Sequence, residues 1–182
     1  MSVMPTYVAF LRAINLGAKR KVPMAELRTC LTDAGYDDVE THIQTGNVRL
    51  RTPARSVAKV EEELEHLLGR RFGFEIPAIV FTPEQLREVY DDALAFAPPG
   101  VKGEMRYVSL FKRGEAPTGE DAAAIDAWDA PGEAGVVKGR AVHIWIDGTS
   151  QASRILTEFK KPLWPGTNRN TKVLVAVTEK WA

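Results

Sequence analysis

A single cysteine, Cys30, is all the thiol chemistry available in 182 residues. No intramolecular disulfide can form and no multi-cysteine zinc site exists, which points to a reducing cytoplasm. Charge of one sign is also missing, since 24 Lys and Arg balance 24 Asp and Glu. A dedicated nucleic-acid domain carries a basic excess that neutralises phosphates, so sequence-specific nucleic-acid binding is not expected. No apolar run approaches the roughly 20 residues of a membrane span. Residues Met1 to Leu11 lack the basic start of a secretory leader, so neither a membrane segment nor a leader is expected. The three histidines, His42, His66 and His143, never stand at helical ligand spacing, so no metal site is expected, and nothing calls for a cofactor. Neither a Gly-x-Ser-x-Gly elbow nor a phosphate-binding P-loop occurs. Cys30 has no base that can be placed beside it and reads as a small packing residue.

What is present is an ordinary globular composition, 45% hydrophobic and 26% charged. Tyr7–Leu11 is a short apolar run and reads as a buried strand. Pro23 opens a helix with Met24, Leu27, Leu31 and Ala34 on one face, and Gly35 stops it. Val39, Thr41 and Ile43 alternate with polar residues in a half-buried strand. Thr45-Gly46-Asn47 turns the chain, and Val48 and Leu50 return it. Ser56 caps a helix striped by Val57, Val60, Leu64, Leu67 and Leu68, and Ile76–Phe81 is a fourth strand. Thr82-Pro83-Glu84-Gln85 has the form of a capping box for a helix to about Leu94, and Ala97-Pro98-Pro99-Gly100 reads as a linker.

The order then repeats without repeating the sequence. A strand covers Arg106–Phe111, and Thr118 caps a helix carrying Ala122, Ile125 and Trp128. Val136–Lys138 and Val142–Ile146 form a hairpin about Gly139-Arg140, and Ser150 starts a helix with Ala152, Ile155, Leu156 and Phe159. Gly166–Arg169 suits a short last strand, while Thr171–Trp181 reads as helix by position or strand by its valines. These elements define an α+β chain of two tandem βαββαβ lobes, ferredoxin-like α/β-plaits with antiparallel sheets and an extra C-terminal segment. The first lobe takes residues 1–82, a connecting helix and linker 83–103, and the second lobe 104–182.

In such a plait the loop after the first strand and the turn between the second and third emerge at the same end of the sheet. That convergence gathers Arg12, Asn15, Lys19, Arg20 and Lys21 with Gln44, Thr45, Gly46 and Asn47. Amides orient a ligand, cations attract anions, glycine lets a ligand approach backbone, and the first helix adds uncapped N–H groups. A phosphate or carboxylate fits this set. The plainer reading makes Asn15 and Asn47 turn residues and Lys19–Lys21 a solvated loop. The same plait order also occurs in RNA-recognition modules, but Val48-Arg49-Leu50-Arg51 lacks the stacking aromatics, and Arg49 and Arg51 read as a solvated strand face. His143 reads as a satisfied or exposed strand residue. Asp37-Asp38 and Asp91-Asp92 read as caps or solvated charge at helix ends, Trp128 and Trp145 as core or lobe-interface residues, and Trp164 as an anchor rather than a ligand platform.

Three blocks, Tyr7–Gly17, Lys21–Leu27 and Ile43–Val48, resemble in sequence and spacing the opening of the domain-of-unknown-function 1697 family. Further on, Asp147-Gly148 with Ser153-Arg154 is similar to that family's turn before a Ser-Lys-Leu helix, and Thr167–Asn170 to its Thr-x-Arg-Asn segment. Ser153, Arg154, Arg169 and Asn170 are thereby secondary site candidates. The chain departs from the pattern at Ala13, where the family has glycine, and at Thr171-Lys172-Val173-Leu174, where it continues Trp-Asn-Thr-Val. The resemblance implies paired α/β-plait lobes and no particular activity.

Three functions compete: a binding protein for a phosphorylated or anionic small molecule at the first-lobe edge, an enzyme on an anionic substrate with its acid–base group unplaced, and a homodimeric interaction protein pairing through Val173–Val177 as an exposed strand.

Overall fold

A computed structural model describes residues 4–182, so the first three residues of the expected first lobe, and of the start where no leader is expected, lie outside the described residues. Its elements run β1 (Thr6–Leu11), α1 (Met24–Asp33), β2 (Asp37–His42), β3 (Asn47–Arg51), α2 (Val57–Phe72), β4 (Ala78–Phe81) and α3 (Pro83–Ala95). Then follow β5 (Met105–Leu110), α4 (Gly119–Asp126), β6 (Glu133–Lys138) and β7 (Ala141–Ile146). The chain ends with α5 (Arg154–Glu158), α6 (Lys160–Leu163), β8 (Thr167–Asn170) and α7 (Thr171–Trp181). The strands make two four-stranded sheets, β2-β3-β1-β4 and β6-β7-β5-β8, antiparallel at every pairing. This is the tandem βαββαβ plan, with helical segments beyond the second plait.

Residues group into two compact units, one reaching to Arg87 and taking in Val177–Ala182, the other spanning Glu88–Ala176. In the first, the inward residues of β1 (Tyr7, Ala9, Leu11) and β3 (Val48, Leu50) meet Leu27 and Leu31 of α1 and Val60, Leu64 and Leu68 of α2. Strand period two and helix period 3.6 supply those positions directly from the sequence. In the second, Val142, Ile144 and Ile146 of β7 meet Ile125 of α4, Ile155 of α5 and Phe159 just beyond it.

The helix starts follow local chemistry. Ser56 accepts from the Lys59 N–H at 3.4 Å. Thr82 and Gln85 form the reciprocal capping box, Gln85 N–H to Thr82 Oγ1 at 3.2 Å and Thr82 N–H to Gln85 Oε1 at 3.1 Å. Thr118 precedes α4 without a side-chain cap bond. A 3₁₀ turn covers Ser150–Ala152, and α5 starts later, capped by Ser153 through the Leu156 N–H.

Several expectations are corrected. Ile43 lies beyond β2, exposed and with φ 52, because the turn claims it. Asp37 and Asp38 are strand residues of β2, and Asp91 and Asp92 lie inside α3. Asp38 pairs with Arg51 at 3.0 Å and Glu40 with Arg49 at 2.9 Å, so those arginines are cross-strand partners rather than a solvated face. Thr171–Trp181 is helix, its valines spaced so that Leu174 and Val177 are buried, and it offers no strand for pairing. The end of α7 packs on β2, where the Trp181 ring meets His42 edge-on and its indole N–H donates to Glu40 at 3.2 Å.

Candidate functional site

The loop after β1 and the β2–β3 turn do meet. The Leu11 N–H donates to the Gly46 carbonyl at 2.8 Å, and Asn15 Nδ2 donates to the Gln44 carbonyl at 2.7 Å. The amides are scaffolding, however. Asn15 also donates to the Val22 carbonyl at 3.0 Å and accepts from the Val22 N–H at 2.8 Å, closing the loop on itself. Asn47, wholly buried, donates to the His42 carbonyl and to Thr45 Oγ1, closing the turn.

Arg20 is likewise spent inside the loop. Its guanidinium donates to the Ala13 carbonyl and, at 2.6 Å, to the Glu75 carbonyl, and lies 4.6 Å over the Phe74 ring. Gly46 serves packing: at φ 80, a Cβ there would stand 2.7 Å from Ile14 Cδ1 and 2.8 Å from Leu11 Cβ. The expected ligand approach over its backbone is therefore blocked on that side by Leu11 and Ile14. Arg12 is half-buried, its N–H bonded to the Pro77 carbonyl. In the first turn of α1 no side chain caps the helix, and Glu26 is drawn to Arg71 of α2 at 3.2 Å.

What remains outward is Lys19, Lys21, Gln44 and Thr45, all exposed. No ion pair engages either lysine among the described residues. Beside them stand Leu16, 67% exposed, and Ile43, 47% exposed, each one residue from an end of the Asn15–Gln44 bond. Ala13, Asn15, Arg20 and Ile43 all hold left-handed backbone, φ 52 to 56. For residues other than glycine and asparagine such conformations cost about 1–3 kcal/mol each and persist only where surrounding bonds impose them.

The secondary candidates belong to the other unit, and the bonds they make there are internal to it. Ser153 and the N–H groups of Arg154 and Ile155 converge on the Glu133 carboxylate, at 2.8 and 3.0 Å for the two backbone bonds. The Trp128 indole donates to the same carboxylate at 3.1 Å. Burial alone would raise the Glu133 pKa, but these donors together hold it below the usual carboxylate range. Arg169, buried on β8, donates to Thr167 Oγ1 at 2.7 Å, and burial pushes its pKa down to about 10. Asn170 accepts from the Lys172 N–H at 2.9 Å and turns the chain into α7.

Sequence reasoning passed over Glu133 and over Glu61 and Glu65 of α2. Those two accept the N–H groups of Val80 and Ala78 on edge strand β4, at 3.0 and 2.9 Å. Their spacing of four residues on a helix just before a strand was the available signal. His143 is neither exposed nor satisfied: it is 2% exposed with no partner for Nε2, beside the rings of Phe96 and Trp145. Trp164 is 65% exposed, so the anchoring expected of it falls to Leu163, half-buried against the second core. Among the described residues no group of three His, Cys, Asp or Glu is placed to hold a metal, and no helix is long and apolar enough to cross a membrane.

The fold and this edge define a tandem α/β-plait protein with a stitched, cation-bearing loop cluster on its first plait. By sequence the chain belongs to the family described as "Protein of unknown function (DUF1697)", whose model matches residues 4–143. No curated protein matches it. A solved structure of a conserved bacterial protein from Streptococcus pneumoniae is similar in fold, with TM-score 0.75, 22% identity and 98% of each chain covered.

Proposed function

We propose that the protein binds an anionic small molecule, phosphorylated or carboxylate-bearing and with an apolar portion, at the edge formed by the β1–α1 loop and the β2–β3 turn. One observation carries this reading. Two of the four large hydrophobic residues exposed among the described residues, Leu16 and Ile43, flank Lys19 and Lys21 on segments locked together by hydrogen bonds. An apolar surface beside cations is the composition a charged ligand with a hydrocarbon body selects. Lys19 and Lys21 attract the anion, Gln44 and Thr45 orient it, and Leu16 and Ile43 take the apolar part. Asn15, Arg20, Gly46 and Asn47 build the rim. Buried Cys30 as the sole thiol suits a reducing cytoplasm.

The test is thermal unfolding with hexyl phosphate, inorganic phosphate and hexanoate. A ligand at about 100 times its Kd adds about 2.7 kcal/mol, or about 5–10 °C for a chain of this size. Hexyl phosphate raises Tm saturably and more than inorganic phosphate, and Lys19→Ala with Lys21→Ala removes the shift while leaving the unliganded Tm unchanged. Equal shifts in wild type and the double variant would refute the assignment.

A further inference from the structure

The second unit carries an open groove of about 420 Å³ lined by Thr157, Glu158, Lys160, Lys161 and Trp164. Trp164 is the most exposed tryptophan, at 65%, while Trp128 is half-buried and Trp145 and Trp181 are buried. Neighbouring Leu163 ties the segment to the Phe111–Ile155–Phe159 core. The indole stands between Pro162 and Pro165, and the Trp164 and Gly166 N–H groups close turns onto the Lys161 and Leu163 carbonyls at 3.2 and 3.1 Å. The ring is thus presented on a short, restrained segment with two lysines alongside.

We infer that this groove is a binding site for a nucleotide-class ligand, a heteroaromatic ring that stacks on Trp164 and bears a phosphate held by Lys160 and Lys161. An exposed indole is the best stacking face among side chains, and stacking tolerates any flat ring. Two adjacent ammonium groups supply the charge for one phosphate. Glu158 adds an acceptor for ring amino or ribose hydroxyl groups. A free mononucleotide fits better than a long strand, because the chain has no net positive charge to track a polyanion. This site is independent of the first-unit edge and stands or falls apart from it.

Tryptophan fluorescence reads the site directly, since stacking quenches the exposed indole most. Adenosine monophosphate quenches saturably, while adenosine and ribose 5-phosphate, which each hold half of the recognised chemistry, bind at least tenfold more weakly. Calorimetry shows Trp164→Ala weakening the nucleotide about fivefold or more, at unchanged Tm. Lys160→Ala with Lys161→Ala weakens it comparably and flattens its salt dependence. Absence of saturable quenching into the millimolar range, or wild-type affinity in either variant, would overturn the inference. So would a short oligoadenylate binding more than about tenfold tighter than the mononucleotide, which would mark a strand-binding surface instead.

Discussion

Ala13 holds a left-handed backbone at φ 55, where an L side chain crowds the following carbonyl. Ala13→Gly should raise stability by about 0.5–1 kcal/mol, read as a higher denaturant midpoint at unchanged slope. An unchanged or lower midpoint would mean that the loop relaxes around alanine. Gly46 is the converse case. Gly46→Ala adds a methyl against Leu11 and Ile14 at a φ of 80, and should cost about 2–3 kcal/mol by the same measurement.

His143 sets a pH dependence at the same scale. Burial, together with Lys138 and Arg106, lowers its pKa from 6.5 to about 4, while Asp92 pulls the other way. The folded protein thus keeps the imidazole neutral where the unfolded chain already takes up its proton. Unfolded molecules bind more protons between pH 6.5 and 4, so stability falls as pH drops through that window. His143→Leu should flatten the fall by on the order of 2–3 kcal/mol, as followed by urea unfolding at several pH values. An equal slope in the variant would place the titration elsewhere.

Elements are held by carboxylates that satisfy backbone donors. Glu133 serves the first N–H groups of α5 and the Trp128 indole, so Glu133→Ala leaves several buried donors without an acceptor. Loss of about 2–4 kcal/mol is expected, and a loss below about 0.5 kcal/mol would show that water replaces the carboxylate. Glu61 and Glu65 blunt the edge of β4 in the same manner. The apolar periodicities that place β1, α1, β3 and α2 were legible in the sequence, as were the Thr82–Gln85 capping box and the Gly139-Arg140 hairpin. These depend on neighbours a few residues apart. The convergence of the β1–α1 loop with the β2–β3 turn was legible too, because topology forces it. The uses of the residues there were not. Asn15 and Asn47 have the chemistry to bind a ligand or to close a loop, and only the positions of the Val22, Gln44 and His42 backbones distinguish the two. Long-range partners of Glu133 and Trp181, and the burial of His143, were invisible for the same reason. The valines of α7 favoured strand by propensity, and burial of one helical stripe prevailed.

On the scale of the whole molecule, the chain leaves the first unit through α3 and returns to it through α7, so that its last six residues belong to that unit and Trp181 packs on β2. Trp181→Ala removes an aromatic contact with His42 and a donor to Glu40, and should destabilise the first unit by about 2–4 kcal/mol. Hydrogen exchange would show the loss at β2 and β3, and protection unchanged there would contradict that role. The two plaits share one topology and carry different polar devices: a stitched loop edge with two outward lysines on the first, an exposed tryptophan groove on the second.

Binding at the first-unit edge is tested most directly by a ¹⁵N–¹H correlation spectrum of the whole chain titrated with hexyl phosphate. Saturable shifts concentrated at Leu16–Lys21 and Ile43–Gly46, and absent from the Lys19→Ala, Lys21→Ala protein, are the predicted result. Shifts that fall elsewhere, or that persist in that variant, would contradict it.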